Sequence, residues 1–281
     1  MSKDLKITVL VENTVGISIG LVGEWGLSFL IEIEGKTILF DTGATGAIVP
    51  NARTLGINLE DVDLVVLSHG HYDHTGGLRS FLQYYKGSLD IIAHPDIFKA
   101  RYTVTDGKLR HVGIPYTRAE LEGLGANFQL ITQPLEIAPN LFVSGEVPRN
   151  STVENQDLRL KVLEGDQQLI DSVLDDFSLY VPTEAGLVII LGCAHAGIIN
   201  IVEHARKVTG ISKIHSIIGG THLGPLPKVR QEETIEFLKS LDLKLFAPNH
   251  CTGPQVSAEL YNIFADSFKF VSAGSSFILA H

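Results

Sequence analysis

Cysteine is scarce in this chain of 281 residues, which contains only Cys193 and Cys251. Two cysteines form one bridge at most, and this excludes the disulfide scaffolds of small secreted proteins. Positive charge is scarce too, because 22 Lys and Arg face 32 Asp and Glu, for a formal net charge of −10. Nucleic acids and anionic membranes attract clustered positive charge, so neither is expected as a partner.

Long apolar runs are also missing. No uninterrupted apolar stretch reaches the roughly 18 residues of a membrane-spanning helix, and the N-terminus lacks the apolar stretch of a signal peptide. The protein is therefore expected to be cytoplasmic and its cysteines reduced. A hydrophobic share of 44% is enough for a large core. The absence of a linker or a tandem repeat favours one domain over residues 1–281.

Alternating apolar patterns predict an α/β protein. In the first half, strands are predicted at 6–11, 28–33, 37–40 and 63–67, and helices at 46–55 and 75–85. In the second half, strands are predicted at 178–181, 187–191, 213–218, 244–247, 268–271 and 276–279, and helices at 197–208 and 229–241. The segment from about 95 to 176 shows no clear period, so we expect an irregular stretch that shapes a binding site.

The strongest signal is S-H-G-H-Y-D-H-T-G-G at residues 68–77, here called the metal loop. It lies between a predicted buried strand and a predicted helix. His69 and His71 are two residues apart, so an extended backbone directs both side chains to one face. Asp73 and His74 follow the turn and can converge on a second position. Imidazole and carboxylate are ligands of zinc, iron and manganese, so this loop predicts a metal centre.

The H-G-H-Y-D-H motif resembles the H-x-H-x-D-H motif of the metallo-β-lactamase superfamily. Three further stretches are similar to other motifs of that superfamily: F-D-T-G at 40–43, G-C-A-H-A-G at 192–197 and P-N-H-C-T-G at 248–253. The resemblance extends over essentially the whole chain. It implies an α/β fold of the four-layer αββα sandwich type, built from two similar halves.

The resemblance also implies one or two divalent metal ions and a set of ligands for each. The implied ligands are His69, His71 and His195 for a first ion, and Asp73, His74 and His250 for a second. Asp73 is also expected to take part in catalysis, and Asp41 to orient the metal loop through hydrogen bonds. Zinc suits a histidine-rich site best, with manganese, iron or magnesium as alternatives.

One stretch departs from the superfamily pattern. Most members with two metal ions have a bridging aspartate at a strand end, but the predicted strand 213–218 is followed by G-G-T-H-L, which puts His222 at that place. Imidazole bridges two cations poorly, whereas a carboxylate has two oxygens for the purpose. His222 is expected to line the pocket. It would act either as a metal ligand or as a catalytic acid, base or hydrogen-bond donor toward the substrate.

Other polar residues near these motifs leave alternatives open. Cys193 and Cys251 adjoin His195 and His250 in the sequence, so a thiolate ligand is one alternative, and Cys193 on a strand would share the face of His195. The favoured interpretation is that both are small packing residues, because the histidines already fill the ligand positions. The pair at 175–176 is either a solvated turn or part of the pocket, and Asp176 is our candidate for a substrate contact. Arg149 is either a surface residue or a contact for a substrate phosphate, which guanidinium binds in a bidentate manner. These candidates add a substrate-binding wall to the metal site.

The predicted metal site indicates an enzyme with a small-molecule substrate. A metal-bound water of lowered pKa would hydrolyse an ester, a lactone or a phosphoester. The G-G-T-H-L and G-C-A-H-A-G stretches are similar to a branch that includes an archaeal pterin-linked synthase. That resemblance implies, as the alternative, a transferase that joins a pterin pyrophosphate to a ribofuranosylaminobenzene phosphate.

Two further classes of protein, an oxidoreductase and a ligand sensor, stay open, and so does the oligomeric state. In a metal-bearing oxidoreductase of the superfamily's di-iron type, Glu would stand where His71 does, and no flavin domain is appended. A ligand sensor would use the same pocket without catalysis. Assembly into a homo-oligomer is left open.

Overall fold

A computed structural model describes residues 4–16, 20–154, 157–165 and 167–280 of the chain. The strands are β1 (Leu5–Val11), β2 (Ser28–Ile33), β3 (Lys36–Phe40), β4 (Leu64–Val66), β5 (Leu89–Ala93), β6 (Arg101–Thr105), β7 (Lys108–His111), β8 (Ala126–Leu130), β9 (Leu135–Ala138), β10 (Leu141–Val143), β11 (Leu160–Glu164), β12 (Gln167–Ile170), β13 (Ser178–Thr183), β14 (Gly186–Leu191), β15 (Ile214–Gly220), β16 (Leu245–Asn249) and β17 (Ser276–Leu279). The α-helices are α1 (Ile48–Thr54), α2 (Tyr72–Thr75), α3 (Leu78–Tyr85), α4 (Arg118–Gly123), α5 (Ile198–Thr209), α6 (Lys228–Lys239) and α7 (Pro254–Phe264). Within these described ranges, no helix is long and apolar enough to cross a membrane.

Two mixed sheets form the centre of the molecule. One has seven strands in the order β17-β1-β2-β3-β4-β5-β8, and the other has six in the order β16-β15-β14-β13-β10-β9. The strands that lead into the predicted motifs run parallel to one another within each sheet, namely β3 and β4 in the first sheet and β14, β15 and β16 in the second. Parallel strands present their carboxyl ends at one edge, where ligands usually bind. This arrangement brings the motif loops of each sheet to a single edge.

Three apolar clusters hold the layers together. The central cluster, which includes Phe29 and Phe177, packs the two sheets face to face. A second cluster packs Phe81 of α3 against the first sheet, and a third packs Ile201 of α5 and Leu238 of α6 against the second sheet. Each fully buried side chain of this size contributes roughly 1.5–3 kcal/mol. The resulting order of helix, sheet, sheet and helix confirms the predicted αββα sandwich.

The predicted helix at 75–85 is divided into α2 and α3. Gly76 and Gly77 lie at the division, and a Cβ atom on either would come 2.0 Å from a backbone oxygen, that of Ala44 or Thr42. The two glycines therefore let the metal loop pack directly against the loop that follows β3. The apolar period predicts a single helix, because the spacing of apolar residues carries no information about this close backbone contact.

The expectation of an irregular segment at 95–176 is wrong. Strands β8, β9 and β10 extend the two central sheets, and β12-β11-β6-β7 form a third sheet of four strands. All residues of β7 and β12 are exposed, so these strands have no buried face that a hydrophobic period could reveal. The predicted strand at 268–271 is absent, and Phe268 makes only an isolated bridge to Phe246.

Candidate metal centre

The predicted metal ligands meet at the carboxyl edges of the two central sheets. The metal loop follows β4, while the other two ligands follow β14 and β16. Two sets of three side chains offer ligand atoms within 4.8 Å of one another: a first set of His69, His71 and His195, and a second set of Asp73, His74 and His250. The structure thus brings together, as two adjoining groups, the residues assigned to two ions.

The first set has ring nitrogens without partners. Nδ1 of His69 lies 2.9 Å from the Ser68 hydroxyl, and its Nε2 lies 2.9 Å from Nδ1 of His71. The buried Nε2 atoms of His71 and His195 have no hydrogen-bond partner among the described residues. Leaving a buried polar atom unpaired costs about 1–3 kcal/mol, and a divalent cation held by these rings would remove that cost. The donor set of the first group therefore fits a metal ion.

The protonation of the first set also suits metal binding. Burial lowers the pKa of His71 to about 3. Burial and the neighbouring imidazoles lower the pKa of His69 and the pKa of His195 well below the ordinary value. All three rings are neutral at pH 7, so each keeps a lone pair for a metal.

The second set is held from outside by polar partners. Nδ1 of His74 lies 2.6 Å from Oδ2 of the fully buried Asp41, and Nδ1 of His250 lies 2.9 Å from Oδ1 of Asn13. Because both Nδ1 atoms have these partners, the Nε2 atoms point into the site, where that of His74 lies 3.2 Å from that of His250. The Nε2 atom of His250 also lies 3.3 Å from Oδ2 of Asp73. Asp41 thus lies where its predicted orienting role requires, in contact with His74 of the metal loop.

Charge is unevenly shared within the second set. Burial alone would raise the pKa of Asp73, but the hydrogen bond from His250 and the charge of His74 hold that pKa well below the usual range. Burial alone would lower the pKa of His74, but the Asp41 carboxylate raises it to about 9. His74 therefore carries a proton at neutral pH, and a cation that binds its Nε2 must displace that proton.

Left-handed backbone conformations recur in the loops around the site. The φ angles are 62° at Asp41, 57° at Ala194, 50° at His222 and 50° at His250. Residues other than glycine rarely adopt this region, at a cost of roughly 1–3 kcal/mol each, and such strain concentrates at functional sites. Each of the four residues directly or closely follows a parallel strand, so the turn redirects the chain at the shared edge.

His222 contacts the first set and faces a cavity. Its ring centroid lies 4.3 Å from that of His195, and its Nε2 lies 3.6 Å from Oδ2 of Asp157. Burial alone would lower the pKa of His222, but Asp157 raises it to about 9. His222, His195 and Cys193 also form a group that could hold a metal ion. The geometry therefore accommodates both predicted roles, as a ligand and as a group that faces the substrate.

A cavity of about 830 Å³ opens beside His195 and His222. Arg149 lines it, as the phosphate-contact prediction requires, but its guanidinium donates to the carbonyl oxygens of His195, Ser172 and Val173. Its Nε is buried without a partner among the described residues. Arg149 therefore links two loops through these hydrogen bonds, and its Nε–H remains available as a donor to a ligand.

Sequence reasoning missed two other cations in the cavity wall, Arg159 and Arg230. Arg159 precedes β11 and Arg230 lies in the first turn of α6, and neither belongs to one of the motifs. The scarcity of positive charge in an acidic chain is the one signal that could have drawn attention to them.

The aspartate pair at 175–176 is not a solvated turn. Both side chains are buried, at 0% and 1% exposure. Asp175 accepts a hydrogen bond from the Gly70 N–H at 2.7 Å and pairs with Arg101 at 2.6 Å. Asp176 accepts one from the Ala196 N–H at 2.8 Å, and burial raises its pKa to about 6. The structure places Asp176 behind the His195 loop and outside the residues that line the cavity.

A four-layer sandwich with two adjoining His and Asp sets at its strand ends is the architecture of one superfamily of metalloenzymes. Residues 26–152 match the family model described as "Metallo-beta-lactamase superfamily". Together with the relatives below, this match shows that the chain belongs to the metallo-β-lactamase superfamily.

The relatives extend over nearly the whole chain. It is 34% identical to the 7,8-dihydropterin-6-methyl-4-(beta-D-ribofuranosyl)-aminobenzene-5'-phosphate synthase of Methanocaldococcus jannaschii, with 96% of this chain and 95% of the relative covered. Among solved structures, Tm1679, described as a metal-dependent hydrolase of the beta-lactamase superfamily, is 27% identical with a TM-score of 0.82, covering 97% of this chain and 98% of that one. YhfI from Bacillus subtilis is 12% identical with a TM-score of 0.56 over 99% and 100% of the two chains, and shares the fold alone.

Proposed function

We propose that this chain is a metal-dependent transferase that joins a dihydropterin methyl pyrophosphate to a ribofuranosylaminobenzene phosphate. The observation that carries the proposal is the 34% identity to the synthase of M. jannaschii, over 96% of this chain. In the reaction, the arylamine nitrogen forms a bond to the methylene carbon of the pterin. The bond from that carbon to the pyrophosphate oxygen breaks, and the amine loses a proton.

The two ligand sets support this chemistry. Their six side chains would hold one or two divalent ions, with zinc favoured by five imidazoles and one carboxylate. Such ions, when bound, neutralise the charge that develops on a departing pyrophosphate. Magnesium is less suited to this donor set, because it prefers oxygen ligands.

The cavity supplies the other requirements. Its volume of about 830 Å³ falls within the roughly 300–1,000 Å³ of small-molecule sites. Arg149, Arg159 and Arg230 lie in its wall, and guanidinium groups bind phosphate. The Nε atom of Arg149 has no partner among the described residues, whereas Arg159 is paired with Asp157 at 2.6 Å and would have to exchange this carboxylate for a phosphate. His222, with a pKa raised to about 9, is protonated at neutral pH and can donate a hydrogen bond to the departing pyrophosphate.

Hydrolysis of a phosphoester is the second candidate. It is favoured by Tm1679, a structure of high similarity that is described as a metal-dependent hydrolase. In that reaction the same cavity would hold a single phosphorylated substrate. The difference from the transferase lies in the acceptor, which is water instead of an arylamine.

The two candidates are distinguished by one incubation with and without the arylamine. Metal-loaded protein is given the pterin methyl pyrophosphate, and products are followed by mass spectrometry and by pyrophosphate release. A transferase forms the coupled product with one pyrophosphate per turnover, and does so only with the arylamine. A hydrolase releases the pterin alcohol or phosphate without it. If neither the coupled product nor a hydrolysis product forms at full metal content, both candidates are contradicted.

A further inference from the structure

Cys193 lies between the two sets of predicted metal ligands. It follows β14, two residues before His195, and its side chain is 3% exposed. Its Sγ lies 3.1 Å from Nε2 of His74, a member of the second set. Among the described residues, this sulfur belongs to three groups of potential ligands whose ligand atoms lie within 4.8 Å of one another. Its companions are His69 and His74 in one group, His195 and His222 in another, and His250 and Cys251 in the third. Members of both sets are therefore within reach of one sulfur atom.

The two sets carry little negative charge for two divalent ions. Asp73 is the one carboxylate among their six side chains, and the other five are imidazoles. Two divalent ions bring four positive charges into a buried site, where uncompensated charge is costly. His222, whose ring lies 4.3 Å from that of His195, adds no negative charge. A second anionic side chain close to both sets would offset part of this charge.

We propose that Cys193 binds metal as a thiolate between the two sets and provides the negative charge that His222 cannot. Metal binding releases the thiol proton to solvent, and no other bond changes. Because thiolate is a soft ligand, it selects zinc or iron over magnesium, which narrows the identity of the metal. The inference concerns the ligand set, so it holds for either of the two candidate reactions.

Cys251 provides a matched control. It is also buried, at 8% exposure, and its sulfur already has backbone partners. It accepts a hydrogen bond from the His222 N–H at 3.2 Å and donates one to the Cys193 carbonyl oxygen at 3.6 Å. Among the described residues, the one group of potential ligands that contains Cys251 also contains Cys193. We therefore expect Cys251 to remain a packing residue.

Cobalt(II) reports directly on thiolate ligation, because cobalt–sulfur bonds give a charge-transfer band in the near ultraviolet. The wild type and Cys251→Ser, loaded with cobalt under reducing conditions, are expected to show this band. Cys193→Ser is expected to lose it and to bind the second equivalent of zinc at least about tenfold more weakly. Circular dichroism of the metal-free proteins checks that all three are folded.

A measurement on the unmodified protein guards against a variant that fails to fold. X-ray absorption of the zinc-loaded wild type should show a sulfur neighbour at about 2.3 Å, and Cys251→Ser should keep it. A shell of nitrogen and oxygen alone would overturn the proposal, as would a cobalt band that persists in Cys193→Ser or disappears in Cys251→Ser. If the zinc-loaded wild type shows no sulfur neighbour but still forms the coupled product, the proposed function stands and the thiolate proposal is wrong.

Discussion

The Asp41 carboxylate and the His74 imidazole are both fully buried, and Oδ2 of one lies 2.6 Å from Nδ1 of the other. Asp41 also accepts hydrogen bonds from the backbone N–H of Ser68 at 2.7 Å and from its hydroxyl at 2.6 Å. One carboxylate at the end of β3 therefore fixes both the start of the metal loop and the ring nitrogen that His74 presents to the site.

Replacing Asp41 with Asn tests this orientation. Asn keeps the shape and tolerates the left-handed backbone of this position, but it carries no charge. We expect zinc affinity at the second set to fall about 10–100-fold, the usual effect of losing a group that orients a ligand. Competition with a chromophoric chelator measures it. Asp90→Asn, at a half-buried carboxylate on β5 that is hydrogen-bonded to Asn127, serves as the control, and equal affinities for the two variants would contradict the prediction.

Replacing His69 or His71 with Ala should abolish activity and sharply reduce bound metal, while the chain stays folded. The apolar clusters that hold the layers do not include these rings, so the loss concerns metal affinity more than stability. Elemental analysis and circular dichroism measure the two effects. His111→Ala, at an exposed position on β7, should leave both unchanged. Full metal content in the double variant of His69 and His71 would contradict the assignment.

Two substitutions at His222 separate its two predicted roles. If it is a ligand, His222→Ala lowers metal content, and His222→Asp restores it by returning a carboxylate. If it faces the substrate, both variants keep their metal and lose turnover by about 10²–10⁴-fold, the usual contribution of a positioned proton-transfer group. Metal content and rate are measured on the same preparations. Values equal to those of the wild type in His222→Ala would leave His222 as a packing residue.

Arg101→Met tests the buried ion pairs behind the metal loop. Arg101 is 1% exposed and lies 2.6 Å from Asp175 and 3.4 Å from Asp171, so the variant leaves two buried carboxylates without their cation. We expect the free energy of unfolding to fall by about 3–5 kcal/mol. The exposed pair of Arg118 and Glu122 offers a control, since Arg118→Met should cost less than about 1 kcal/mol. Denaturant titration compares the two, and equal losses would refute the argument.

The stability of the fold should depend on Glu154 between about pH 4.5 and 7. Burial raises the pKa of this carboxyl from 4.5 to about 7, although it accepts hydrogen bonds from the backbone N–H groups of Ile199 and Asn200. The folded chain holds a proton that the unfolded chain releases, so this residue destabilises the fold as pH rises through that window. Glu154→Gln should therefore gain thermal stability relative to the wild type at pH 8 more than at pH 5. A constant difference at the two values would contradict this.

Local patterns in the sequence predicted the elements that lead to the site, because β3, β4 and β14 are buried strands with clear apolar runs. Helix α7 was missed because only two of its residues, Val256 and Leu260, are buried, which leaves a weak period. Contacts between distant segments could not be read in advance. The hydrogen bond from Gly70 to Asp175 joins residues 105 apart. The place of Cys193 likewise depends on three strand ends meeting in space.

In the sequence, all four strands of the third sheet fall between β5 and β13. None of the six side chains in the two ligand sets belongs to this sheet. Residues on and beside this sheet, among them Arg159, Leu160 and Asp171, line the cavity. Part of the cavity wall is thus encoded in a stretch of the chain that contributes none of the six predicted metal ligands, while His195 and His222 complete the wall. Changes in this stretch can alter the cavity while the predicted metal ligands are kept, and in this way one scaffold can host several chemistries.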